Sequence, residues 1–239
     1  MNAYRRIIVI FTAALIFTLA AACAGQPGSG LNGAQPTPGS KVPGTGQGQP
    51  LNTTPHSLIR KDASGASLAF DFYPAPQPGK GALLLVLGSG QELGAWRLLA
   101  QSAQVKGLAA VVLDLQNSGK PSQAIQAVVQ FLAAPENGGN NRIVAAGSGS
   151  SIGPALASLA PEAEIKGFMV FSPQAENLGD GANGRPVLVV ESSSIGAANG
   201  GSSVELRIVP GGGQGVEGIL PQPGVIDQLL DWCLGRLAG

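Results

Sequence analysis

From residue 53 onward the chain alternates short apolar runs with stretches of helical period. Ser57–Lys61 and Ser67–Tyr73 place apolar and polar residues in turn around Ala63-Ser64-Gly65-Ala66, the pattern of a β-hairpin. Ala82–Leu87 (ALLLVL) and Ala109–Leu113 are continuous apolar runs, as expected of strands covered on both faces. Ile143–Gly147, Lys166–Phe171, Val187–Glu191 and Val204–Val209 predict four more strands. Between them, Glu92–Lys106 has helical spacing, with Leu93, Trp96, Leu99 and Ala103 on its inner side, Leu98 beside them, and Gly107 as its stop. Pro121–Ala133 predicts a second helix opened by proline, and Gly224–Leu237 a closing helix with Val225, Ile226, Leu229, Leu230, Leu234 and Leu237 inward. An antiparallel hairpin followed by strand–helix alternation predicts an α/β fold. It is a single, mostly parallel sheet of about eight strands with helices on both faces, and no stretch is long enough for a large cap domain.

Upstream the pattern is different. Asn2-Ala3-Tyr4-Arg5-Arg6 is a basic start, Ile7–Leu19 an apolar run, and Ala20-Ala21-Ala22-Cys23 a small-residue cleavage region. Residues 24–52 are rich in Gly, Pro, Ser, Thr and Gln and hold almost no large apolar side chain. Such a segment cannot bury enough surface to offset its ordering entropy, so a tether is expected. The start resembles the signal peptide and lipobox of bacterial lipoproteins, although Leu19 lies one place further from Cys23 than the usual leucine. That resemblance implies export, lipidation of Cys23 and attachment to a membrane of the cell envelope. The expected organisation is a signal peptide at 1–22, a tether at 23–52 and one domain at 53–239.

Composition narrows the chemistry. With 14 basic and 14 acidic residues in 239, the chain carries no net charge that would favour nucleic acid. Of its two cysteines, Cys23 is the lipidation candidate and Cys233 lies in the apolar LLDWCLGRL, where a buried hydrophobe is expected. Neither belongs to a CxxC or Cys/His cluster, so no metal and no cofactor is expected.

The candidate chemistry lies in RIVAAGSGSSIGPALAS, Arg142–Ser158. An apolar strand runs into Gly149-Ser150-Ser151-Ile152-Gly153, which fits Gly-x-Ser-x-Gly. A serine held on a sharp strand-to-helix turn needs neighbours without Cβ two places before and after. The amide of the following residue, Ile152, then points into the site as an oxyanion donor at a helix N-terminus. The same glycines also approximate a dinucleotide fingerprint, Gly147-x-Gly149-x-x-x-Gly153. That motif belongs on the first strand–helix unit with an acidic residue at the next strand's end, where this chain has Phe171-Ser172.

Taken in order, ALLLVLGSG, AAVVLDLQNSG, the Ser151 turn, KGFMVFSP, RPVLVVE and IVPGGGQG resemble the α/β-hydrolase superfamily, in particular its compact dienelactone-hydrolase-like and esterase-like members. The resemblance spans nearly all of 53–239. It implies Ser151 as nucleophile, the backbone amides of Ile152 and Ser89 as oxyanion donors, and a histidine base in the loop after the last strand. That loop reads Pro210-Gly211-Gly212-Gly213-Gln214-Gly215, so Gln214 stands at the histidine position. Glutamine has no titratable nitrogen and cannot act as general base. The acid's loop, Ser192-Ser193-Ser194-Ile195-Gly196, holds no carboxylate, and Glu191 at the strand end is the nearest.

The only histidine, His56, precedes the first predicted strand, where an exposed position is expected. Asp114 reads as a carboxylate capping a loop, and Glu162, Glu164 and Lys166 as a solvated turn. The expectation is a membrane-tethered lipoprotein with a catalytically impaired pseudo-hydrolase domain that binds a small ligand or an envelope protein. The alternative is an active serine esterase with a non-standard triad.

Overall fold

The computed structural model describes residues 54–239 apart from 62–63, 78, 89–90, 92, 117, 119, 149–157, 172–181, 193–203, 212 and 214. Eight strands form one sheet: β1 His56–Lys61, β2 Ser67–Tyr73, β3 Ala82–Leu87, β4 Ala109–Asp114, β5 Ile143–Ser148, β6 Ile165–Phe171, β7 Val187–Glu191 and β8 Val204–Ile208. Their order is β1-β2-β4-β3-β5-β6-β7-β8. β2 is antiparallel to both its neighbours, and from β4 to β8 every pairing is parallel. The described helices of four or more residues are α1 Leu93–Val105, α2 Pro121–Ala133, α3 Gly215–Ile219 and α4 Val225–Ala238. This is the fold class that the alternation of strand and helix signals predicts.

The connections explain which helix covers which face. From β3 the chain moves one way to β4, and from β4 it moves back over β3 to β5. Right-handed crossovers in opposite directions place their helices on opposite faces. Accordingly α1 packs with α3 and α4 over Leu83, Leu85, Val112, Val144 and Met169. On the other face α2 covers Leu84, Val86, Val111, Ala145 and Val170. Each central strand is therefore buried on both sides, which is why β3, β5 and β7 are buried along their whole length. Truncating a side chain such as Leu85 to alanine in this setting costs about 2–5 kcal/mol.

The helices differ from expectation in particulars. Leu98 lies on the solvent side of α1 and is 44% exposed, because Trp96, Leu99, Ala100 and Ala103 already fill the strip facing the sheet. Ile226 and Leu234 are only half-buried at the margins of α4, whose inner strip is completed by Trp232 and Cys233. α3 carries only Val216 and Ile219 into the core and two of its five residues are glycines, so its periodicity is too short to read. Gly218 within α3 backs directly onto the backbone of Gly213, and a Cβ there would overlap it. Glycine at 218 is thus what lets the loop after β8 fold against α3.

Candidate functional site

In a parallel sheet, ligand sites form beyond the carboxyl ends of the strands, where neighbouring connections leave in opposite directions. β3 connects toward β4 and β5 connects toward β6, so that switch point lies between the ends of β3 and β5. The segments beyond these ends are Gly88-Ser89-Gly90 and the Ser151 turn. Ser151, Ile152, Ser89 and Gln214 all lie outside the described residues, as does Cys23. What the structure does describe is the frame that surrounds them.

β5 delivers the chain to this crevice through Ser148, its last residue, which is buried and paired with Phe171 of β6. Phe171 meets the Trp96 indole edge-on, with ring centroids 5.6 Å apart at 84°. Trp96 donates its indole N–H to Gln91 Oε1 at 3.2 Å, and the Gly88 backbone N–H donates to the same oxygen at 3.0 Å. Gln91 thus closes the turn after β3 and ties it, through Trp96 and Phe171, to the strand leading into the Ser151 turn. It also occupies the Gly88 amide, so that amide is not free to serve as an oxyanion donor. Sequence reasoning missed Gln91, because a buried indole N–H calls for a partner but nothing in the sequence says which residue supplies it.

Glu191 ends β7, and Val190 beside it is level with Phe171 and hence with Ser148. Two strand spacings of about 4.8 Å place Glu191 roughly 10 Å to the side of β5. Its side chain is buried, and Oε2 has no hydrogen-bond partner. Burial without a cation raises its carboxyl above the ordinary glutamate value. The backbone nevertheless holds the position firmly, since the Val209 N–H donates to the Glu191 carbonyl at 2.7 Å.

The other ionisable candidates fall away from the crevice. Asp114 Oδ1 accepts the Gln116 N–H at 2.8 Å, capping the turn after β4 as expected. His56 is the first residue of β1 rather than a residue before it, and it is exposed, as expected. Its level in the sheet follows from register: His56 pairs with Phe72, Phe72 with Val111, Val111 with Leu84, and Leu84 with Ala145. It therefore stands beside the middle of β5, four strand spacings or about 19 Å away. Cys233 is fully buried in α4, and desolvation pushes its thiol up to about 12, which makes it an inert core residue. Among the described residues no cluster of three metal-ligating side chains occurs, and no helix is long and apolar enough to cross a membrane.

No family model matches the chain, and no curated protein sequence does. Solved structures do. The esterase domain of a Rhodothermus marinus protein superposes with a TM-score of 0.62 at 14% identity, covering 77% of this chain and 100% of that one. The alpha/beta hydrolase GrgF from Penicillium sp. sh18 gives 0.62 at 12% identity, over 77% and 99%. Brefeldin A esterase, a bacterial homologue of human hormone-sensitive lipase, gives 0.58 at 12% identity, over 82% and 81%.

The fold is that of the α/β-hydrolases.

Within that fold the crevice between β3 and β5 is where the sequence resemblance places a nucleophile and its oxyanion donors. The described frame contributes a buried carboxyl at β7 and a glutamine-closed turn at β3. It brings no histidine to the crevice, since His56 stands across the sheet.

Proposed function

We propose that this chain is an exported lipoprotein, anchored through a lipidated Cys23, whose α/β-hydrolase-fold domain serves as a binding module rather than as a hydrolase. A small ligand of the crevice or a protein of the cell envelope is its partner in this reading. The observation that carries it is the place of the one histidine. The chain has one histidine, and its register sets it about 19 Å from β5. Gln214 occupies the position where the resemblance calls for one.

A serine hydroxyl without a general base is a poor nucleophile. An oxyanion hole and substrate binding alone leave roughly 10³–10⁴-fold acceleration over water, well below the range of a working esterase. The empty acid loop at 192–196 supports the same reading, because both partners of the nucleophile are missing together.

A second reading is favoured by one feature, the raised carboxyl of Glu191 at the carboxyl end of β7. A carboxylate held there could orient or replace a base through water, giving an active serine esterase with a non-standard triad. Hydrolysis of a short-chain p-nitrophenyl ester by the full chain separates the two. The binding-module reading expects the same slow rate from the wild type and Ser151→Ala. Turnover that is lost in Ser151→Ala overturns it in favour of the esterase.

A further inference from the structure

Away from the crevice, on the face covered by α2, a groove of about 400 Å³ runs between that helix and the β1–β2 edge of the sheet. Its volume falls within the range of small-ligand sites, about 300–1,000 Å³. The helix side presents Gln123, Gln126 and Gln130, spaced at one helical turn so that they form a single stripe of amides. The strand side presents Arg60 and Lys61 at the end of β1. Between them the floor is apolar carbon from Leu68, Phe70 and Phe131.

Three features of this groove point to a ligand. First, the guanidinium carbon of Arg60 lies over the Phe131 ring, 4.6 Å from its centroid, which holds the cation at the groove. No ion pair among the described residues engages Arg60 or Lys61, and Glu136 is the one carboxylate among the described lining residues. Those described lining side chains carry two cations against one carboxylate. Second, Gln123 Oε1 is buried there with no hydrogen-bond partner. A buried acceptor left unpaired is costly, and a turn of this half-buried side chain toward a hydroxyl in the groove would relieve it. Third, Gln126 spends its Nε2 on Glu162 at 3.2 Å and leaves its carbonyl oxygen as a further acceptor.

A simple anion would satisfy the cations and leave the amide oxygens unpaired. A neutral sugar would satisfy the amides and leave the cations idle. We propose that the groove binds an acidic saccharide: its carboxylate against Arg60 and Lys61, its hydroxyls donating to the amide stripe, and its C–H face on Phe70 and Leu68. The proposal is independent of what the Ser151 crevice does.

Calorimetric titration of the full chain with digalacturonate, lactose and inorganic phosphate tests it. Digalacturonate is expected to bind, and lactose and phosphate to bind at least about tenfold more weakly. Lys61→Glu, an exposed position whose replacement leaves the core intact, is expected to weaken digalacturonate by about tenfold or more. Gln123→Leu, which removes the unpaired acceptor, should weaken it while leaving thermal stability unchanged or higher. Absence of digalacturonate binding, equal affinity for phosphate or lactose, or unchanged affinity in Lys61→Glu each overturns the proposal.

Discussion

His56 is level with Ala145, four strands across the sheet, and not with the carboxyl end of β5 where the Ser151 turn begins. Four strand spacings, about 19 Å, exceed the reach of any imidazole rotamer from β1 to β5. The chain's one imidazole is thus set apart from the carboxyl end of β5 by the order and register of the strands.

The turn after β3 depends on a single side-chain oxygen. Gln91→Leu would leave the Gly88 amide and the Trp96 indole N–H without their acceptor, at a cost of about 1–3 kcal/mol for each group left buried. In a domain of this size about 1 kcal/mol moves the melting temperature by about 2–4 °C. A drop of several degrees in Gln91→Leu, with a changed near-ultraviolet signal from Trp96, is the expected outcome of a thermal melt.

Glu191 makes stability depend on pH in a defined direction. Its carboxyl has a higher pKa folded than its ordinary 4.5, so the folded state holds the proton more tightly. The resulting stabilisation is complete below the unfolded pKa and is lost as pH rises through the folded one. Glu191→Gln cannot ionise. Its melting temperature should exceed the wild type's at neutral pH, and the two should converge in acid below the ordinary glutamate pKa.

Two glycines should respond oppositely to alanine. At Gly218 a Cβ overlaps the Gly213 backbone, so Gly218→Ala displaces the loop ending at Gly215 and destabilises the domain. At Gly235, inside α4, a Cβ meets nothing within 4 Å. Gly235→Ala should stabilise by about 0.5–1 kcal/mol through helix propensity. Chemical denaturation of the two variants reads both signs.

Lipidation has a direct readout. Mass spectrometry of the membrane fraction from expressing bacteria is expected to find a diacylated or triacylated N-terminus at Cys23. A chain beginning at Met1, or a soluble chain cut elsewhere, contradicts the lipoprotein reading.

The sheet was legible because its central strands are buried on both faces. ALLLVL and VLVVE can satisfy that environment as written, and Pro121 marks a helix start by its missing N–H. Strand order follows less directly, but once the reversal at β3 is known, connection handedness assigns the helices to their faces. What stayed hidden was decided by three-dimensional neighbours. Leu98 reads as apolar and faces solvent, because the inner strip of α1 is already filled. α3 spans five residues, fewer than two helical turns, and no periodicity can show in so few. Gln91 carries no motif, and its role appears only when Gly88 and Trp96 are brought to the same oxygen. At the candidate site the sequence names Ser151 and Gln214, and the described residues supply only the surrounding frame.

Whether Ser151 is an activated nucleophile is the question on which the functional reading turns. A fluorophosphonate probe reacts with activated serines, so labelling of the full chain, located by peptide mass spectrometry, addresses it directly. The account predicts no Ser151 adduct beyond the trace found on unactivated serines. Stoichiometric labelling at Ser151, abolished in Ser151→Ala, would contradict it and establish that a base other than His56 operates in the crevice.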